Sequence, residues 1–523
     1  MPQPTSRTSL PPYLRQEQER IEAAARAAGL DFFPVIFEML SYDQINEIAA
    51  YGGFPNRYPH WRFGMDYELL SKSNEYGLSK IYELVINNNP AIAYLLEGNS
   101  LTDQKLVMCH VYGHVDFFKN NFAFRSTDLN ATGKVINPVL QGEHYKPNRK
   151  WVDRIANHGA TVRRIIDRQG IDEVEKFIDN CLSLENLIDP YSPFMVREEK
   201  AKEEDEQQGP VEVPRLRAKS YMDKFINPVE YIEEQRQVLE AKQKDKRGKY
   251  PREPVQAVLG FLLNHAPLER WERAVLAIIR DEAYYFSPQI QTKIMNEGWA
   301  SYWHSRLMTE GVCNASEIVD YADNNAAVMA TSGGQLNPYK LGVELYRSIE
   351  ERWNRGQFGR DWEQCDDLDR KRNWDLRLGL GKEKLLEVRR LYNDVTFIDE
   401  FLTPEFAIDH KLFNFEWSKR HEQYEIATRE FKKVKEKLLT QLTNLGSPFL
   451  YVDDANFENR GELLLTHKHR GVDLRHDYSQ AAMTSLVRVW KRPVCLRTVL
   501  EGKPTMLRFD GKEHTSVQEA AAE

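Results

Sequence analysis

One stretch constrains this chain more than any other. Glu282–His304, EAYYFSPQIQTKIMNEGWASYWH, sets Tyr284, Tyr285, Phe286, Trp299, Tyr302 and Trp303 among two glutamates and a histidine. After the Ser287-Pro288 break, the run from Thr292 to Met308 has no proline and few β-branched residues, which predicts one helix with Gly298 as its weak point. On such a helix Glu297 and His304, seven residues apart, share a face. A carboxylate and an imidazole then point the same way.

A second constellation lies upstream in Cys109–Phe118, CHVYGHVDFF, where His110 and His114 stand at i and i+4 inside an apolar segment that begins at Leu106. Two imidazoles one helical turn apart offer the geometry a divalent transition metal takes, zinc above all. Zinc peptidases place a glutamate directly after the first of these histidines, as H-E-x-x-H; here that position is Val111, so a base to take a proton from water is missing from its usual place. The string NEGWASY (296–302) is similar to the N-E-G-x-A-x-Y helix that supplies gluzincin-type metallopeptidases with a third zinc ligand, a role that would fall to Glu297. The spacing between His114 and Glu297, 297 − 114 = 183 residues, is far longer than in compact peptidases. The metal set expected is therefore His110, His114, Glu297 and His304. The plain alternative is a pair of core histidines, each donating a ring proton to a buried carboxylate such as Glu297.

The whole-chain balance excludes several classes. Lys+Arg 71 against Asp+Glu 79 gives −8, so nothing in bulk pulls the chain toward nucleic acid or an anionic membrane. The longest apolar runs, Ala274–Ile279 and Val255–Leu263, are too short to span a bilayer, and the N-terminal MPQPTSRTSLPPYLRQEQER has no apolar signal core. Five cysteines without a C-x-x-C pair fit reduced thiols, and a soluble cytoplasmic protein is expected. Cys109 beside His110 reads as a small buried hydrophobe.

The fold class expected is mainly α: a large multi-helix body with a zincin-like helix pair, plus a small C-terminal α+β module. Residues 1–195 read as an N-terminal helical body with helix over Met65–Asn87 and Pro90–Glu97, interrupted by the aromatic loop YGGFPNRYPHWRFGMDY at 51–67. Residues 196–254 carry charge runs without apolar anchors and read as a linker or insertion. Residues 255–446 resume the helical body, with charged helices to Asn444. Near Gly446 the apolar period changes from 3.6 to 2, which marks 447–513 as the α+β module, with 514–523 as a disordered tail. Four further residues are candidates for a pocket: His60 in the aromatic loop, Glu143 in a long polar loop, His158 on an amphipathic helix, and Glu282, which by position could replace the missing base.

YGGFPNRYPHWRFGMDYE, HVYGHVDFFKNN, YYFSPQIQTKIMNEGWASYWH and NPYKLGVELY are long, compositionally odd strings, and on them the chain resembles the SpoVR family, named for stage V sporulation protein R. The resemblance extends over nearly the whole chain. It implies a cytoplasmic bacterial protein linked to spore-cortex formation or stress response, with protein partners that include a stress-related serine protein kinase, and it brings no established reaction. Residues 110, 114, 297 and 304 themselves, and not the resemblance, leave two biochemical forms open. One is a non-catalytic adaptor that keeps a bound divalent metal; the other is a zincin-like metal-dependent hydrolase acting on peptide or cell-wall precursor bonds.

Overall fold

The computed structural model describes residues 10–75, 83–129, 148–195, 249–330, 336–418 and 420–519, with isolated positions between 213 and 236. It is mainly helical, with a small sheet module near the C-terminus. The chain forms two compact units, one of residues up to 171 together with 284–446, the other of 172–283 together with 447 onward. This redraws the division expected from composition, because 255–283 belongs with the C-terminal sheet and not with the helical body. The charged stretch 196–254 lies largely outside the described residues.

The first unit packs around two helices. Leu101–Asn120, the histidine helix, is buried on every face from Leu106 to Phe118, and Lys293–Leu307, the glutamate helix, is buried from Ile294 to His304. Their closeness has a specific cause. A Cβ on Gly113 would sit 2.7 Å from the Ala300 Cα, and one on Gly298 would sit 2.5 Å from the Cα of Gly342 in the helix Pro338–Arg355. Gly298 is therefore the point of closest approach between helices, where a side chain has no room. Asp116 fastens the same junction: its carboxylate accepts from Trp299 Nε1 (2.8 Å), the Asp31 amide (2.7 Å) and Arg389 Nη1 (2.6 Å). The break before the glutamate helix falls at Thr292, one turn later than expected, because the helix Arg270–Gln291 runs on through Pro288.

A three-stranded sheet lies in the segment expected to be helical. β1 (Val35–Leu40), β2 (Leu84–Ile86) and β3 (Ala91–Leu96) pair in the order β1-β3-β2, with β1 parallel and β2 antiparallel to β3. Short apolar runs such as LVI and AIAYLL satisfy either period, and their extended pairing with residues fifty positions away decided the outcome. Among the described residues between the aromatic loop and β2 the helix is Trp61–Glu75, so the aromatic loop ends at His60. Near the end of the unit, β4 (Asn414–Ser418) and β5 (Gln423–Thr428) form an exposed hairpin where charged helix was expected.

In the second unit, β6 (Leu450–Phe457), β7 (Glu462–His467), β8 (Val494–Leu500), β9 (Lys503–Phe509) and β10 (His514–Gln518) form one sheet in the order β10-β9-β8-β7-β6. The β7–β8 pair is parallel and its crossover is the helix His476–Trp490, whose Trp490 Nε1 donates to the Gly461 carbonyl at 3.0 Å. Val255 bridges β6 through Val452, which ties the earlier segment to the sheet. The tail expected to be disordered from His514 is instead strand β10, paired antiparallel with β9 through Gln518. Residues 520–523 lie outside the described residues.

Candidate metal centre

The histidine helix starts on a capping box in which Ser100 Oγ accepts from the Asp103 amide and Asp103 accepts from the Ser100 amide, which sets the helical phase nine residues before His110. Because the helix is buried all round, the i, i+4 pair cannot face solvent, and His110 and His114 are 2 % and 4 % exposed. The glutamate helix has no side-chain cap of its own at Thr292. Its first amides donate to the carboxylate of Asp394, from Ile294 N at 2.8 Å and Met295 N at 2.9 Å. Burial pushes the Asp394 carboxyl up to about 7.

Four ligand atoms converge where these helices meet the sheet. His110 Nε2 lies 3.6 Å from Glu297 Oε2 and 3.3 Å from Glu83 Oε1, and His114 Nε2 lies 3.4 Å from Glu297 Oε2. All four donors fall within 4.8 Å of one another. A tetrahedron of ligands about 2.1 Å from a zinc ion has edges of about 3.4 Å, so these separations are those of a coordination shell. Two of the atoms make the same point by what they lack: His110 Nε2 and Glu297 Oε2 are buried and have no hydrogen-bond partner. Groups of this kind are costly to bury unless something completes them.

The outer contacts turn the imidazole lone pairs toward the cluster. His114 Nδ1 is 2.9 Å from Asn296 Oδ1, an atom that only accepts, so the hydrogen sits on Nδ1. His304 Nε2 is 3.1 Å from Asn325 Oδ1 and must donate there, which leaves its Nδ1 to accept from His110 Nδ1 at 2.8 Å. Burial, and then the neighbouring His110, hold the pKa of His304 down at about 3, so it is neutral in this chain of contacts. His304, expected among the metal ligands, stands behind His110 as its partner and outside the four donors that lie within 4.8 Å of one another.

Charge at the centre is unbalanced without a cation. Burial is the largest influence on Glu297 and pushes its carboxyl up, but His114, His110 and Lys293 together outweigh it and hold it well below the usual range. For His110, burial pulls down, and Glu83 with Glu297 more than reverses it, to about 9. Two carboxylates thus draw one positive charge to a single point, which a proton on His110 or a divalent ion supplies. Lys293 pairs with the other oxygen of Glu297, and burial, then the nearby Glu297 and Glu83 carboxylates, push the pKa of the Tyr339 phenol up and keep it protonated. A cavity of about 210 Å³ opens beside Glu83, His110 and Tyr339. A shallower depression of about 510 Å³ lined by Arg347, Glu350 and Arg377 is set among surface ion pairs such as Arg347–Glu344.

The structure thus brings His110, His114 and Glu297 together, sets His304 behind them, and adds Glu83, which the sequence reading missed. Glu83 stands at the head of β2, in a stretch read as helix, and no local pattern links it to residues 110 or 297. The other candidates lie elsewhere. Glu282 belongs to the second unit, His60 is buried in the aromatic loop with its Nδ1 accepting from the Arg62 amide, His158 is part-buried on the helix Trp151–Gln169, and Glu143 lies outside the described residues.

The family model described as "SpoVR like protein" matches residues 9–447. The chain belongs to the SpoVR family. Every residue of the cluster and its outer contacts falls within the SpoVR match, which stops where the second unit takes up again at Ser447. A curated relative, "Uncharacterized protein YcgB" of Escherichia coli (strain K12), is 30% identical over 485 residues, covering 86% of this chain and 84% of that one. No solved structure matches this SpoVR-family chain. Among its described residues no helix is long and apolar enough to cross a membrane.

Proposed function

We propose that this SpoVR-family chain holds one divalent metal ion, zinc by its donor set, between His110, His114 and Glu297, and hydrolyses amide-type bonds beside it. The observation that carries the reading is the pair of buried, partnerless ligand atoms, His110 Nε2 and Glu297 Oε2, at coordination-shell separations. Two imidazoles with one or two carboxylates suit zinc better than magnesium or calcium. Bound there, the ion would supply Lewis-acid polarisation and make water more acidic. Val111, fully buried, cannot serve as base, but Glu83 supplies a carboxylate on the cavity side of the cluster. That carboxylate, in place of the base missing at Val111, is what supports hydrolysis over a non-catalytic adaptor.

One observation still favours an adaptor. Glu83 completes a set of four protein donors, and structural zinc sites are closed in that way. The two readings part on Glu83→Gln. Purified without chelator or affinity-tag nickel, the wild-type chain should carry about one equivalent of zinc. If Glu83 is the base, Glu83→Gln keeps that zinc and fails to complement a deletion strain; if it is a ligand in an adaptor, the zinc is lost as well. A wild-type protein that binds no divalent ion sinks both. The sporulation or stress role, with a serine protein kinase among the partners, rests on the family alone, and co-purification from the native host checks it.

A further inference from the structure

The cavity beside the cluster narrows the substrate. Glu83, His110 and Tyr339 line it together with Leu106 and Val107 of the histidine helix and with Asp103, whose carboxylate accepts from Asn324. At about 210 Å³ it has room for about seven waters at roughly 30 Å³ each. A fragment of about that many heavy atoms fills it, which is one small acyl unit and not an extended ligand. Among its described lining residues there is no lysine or arginine, while Glu83 and Asp103 are carboxylates. The nearest cations are committed: Lys105 to Glu317 at 2.8 Å, Lys293 to Glu297. With a divalent ion held there, Glu297 and Glu83 offset its two charges, so an anionic group entering here would lose water without meeting a net positive charge and would face the Asp103 carboxylate as well.

Resting on the hydrolase reading above, we infer that the chamber takes a small amide whose acyl part is short, apolar and uncharged or cationic, and that it rejects phosphate esters and other anions. Glu83 takes one proton from water as the water oxygen bonds to the carbonyl carbon, and the carbonyl π pair moves onto its oxygen. The Tyr339 phenol, protonated at neutral pH, lines the cavity against the Glu297 and Glu83 carboxylates, and by turning from them to the carbonyl oxygen it would donate to the developing negative charge. When the C–N bond breaks, the nitrogen keeps the electron pair and takes the proton held by Glu83. Amide and water give acid and amine, with no oxidant or reductant.

The test uses the full-length chain loaded with cobalt(II), whose visible spectrum reports ligands that enter the shell. Acetohydroxamic acid, small and uncharged in solution until the metal takes its proton's place, should change the spectrum and bind at least tenfold more tightly than inorganic phosphate or a naphthyl hydroxamic acid. Val107→Phe, which takes up cavity space, should keep its cobalt and lose acetohydroxamate binding by tenfold or more; because that variant can fail to fold, the comparison of small and large hydroxamates on the unaltered chain stands by itself. Cleavage of alanine 4-nitroanilide but not of 4-nitrophenyl phosphate is the matching result with zinc. Phosphate or the naphthyl compound binding as tightly as acetohydroxamate overturns this inference while leaving the metal centre intact. A chain that takes up no cobalt overturns the metal centre and the inference together.

Discussion

Two buried glutamates, one in each unit, are held in opposite ways. Glu462 at the start of β7 is saturated: Arg508 reaches both of its oxygens at 3.1 Å, Arg460 Nε donates at 2.8 Å and Cys495 Sγ at 3.4 Å. Glu297 has Lys293 on one oxygen and no hydrogen-bond partner on the other, which faces two imidazoles at 3.4 and 3.6 Å. A carboxylate satisfied by guanidinium donors is a rivet of the fold. One whose second oxygen faces two imidazoles is completed only by a positive charge, carried by His110 as a proton or by a divalent ion, and that difference makes Glu297 the candidate ligand of the two and Glu462 a structural acid.

The largest effect should come from exchanging each acid for its amide. Glu297→Gln is expected to drop the metal content from about one equivalent to less than a tenth, while the metal-free protein melts no lower than the metal-free parent. Glu462→Gln should leave metal content untouched and destabilise its own unit by about 2–4 kcal/mol, since it strands Arg508 and Arg460. Elemental analysis and thermal melts on both variants decide it; equal metal loss in the two would erase the comparison.

A smaller contrast lies in pH. Burial pushes the Glu462 carboxyl up, but Arg508 and Arg460 outweigh it and hold it at about 2. Its folded value is below the unfolded one, so its contribution is present above about pH 4.5 and lost as the pH falls toward 2. Asp394 runs the other way. Its folded value of about 7 exceeds the unfolded value, so the folded state binds the proton more tightly and the first unit loses stability as pH rises from about 4 to 7. The changes should be on the order of 3 kcal/mol for Glu462 and 4 kcal/mol for Asp394. Amide hydrogen exchange in β7 and in the glutamate helix reads the two units separately, and Asp394→Asn should flatten only the second slope; slopes of the same sign would refute the assignment.

The finest distinction concerns His304, which has no counterpart around Glu462. His304→Ala removes the acceptor that orients His110 and should weaken zinc binding by about 10- to 100-fold without abolishing it. Competition with a chromophoric chelator measures this. Complete loss of zinc would return His304 to the set of direct ligands.

Much of this site was legible before any fold was known. The i, i+4 spacing of His110 and His114, the placement of Glu297 within NEGWASY and the absence of a base at Val111 all follow from helical period, a local property of fewer than twenty consecutive residues. The family strings were equally legible, and the match over 9–447 agrees with them. Gly298 was visible as an oddity but its meaning was not: a weak point in an isolated helix is a contact point once Gly342 lies against it.

What only the tertiary structure decided is which distant groups share a point in space. Glu83 reaches the cluster because β2 pairs with β3 beside the histidine helix, Asp394 caps a helix 100 residues away in sequence, and Asn325 and Tyr339 come from segments with no periodic relation to residue 110. Period and propensity describe neighbours along the chain, and so they determined the helices and the direction their histidines and glutamate face. Pairing across long sequence separations is set by the packing of whole elements, and so the fourth donor, the orientation of the imidazoles and the chamber beside them were settled only when those elements closed together.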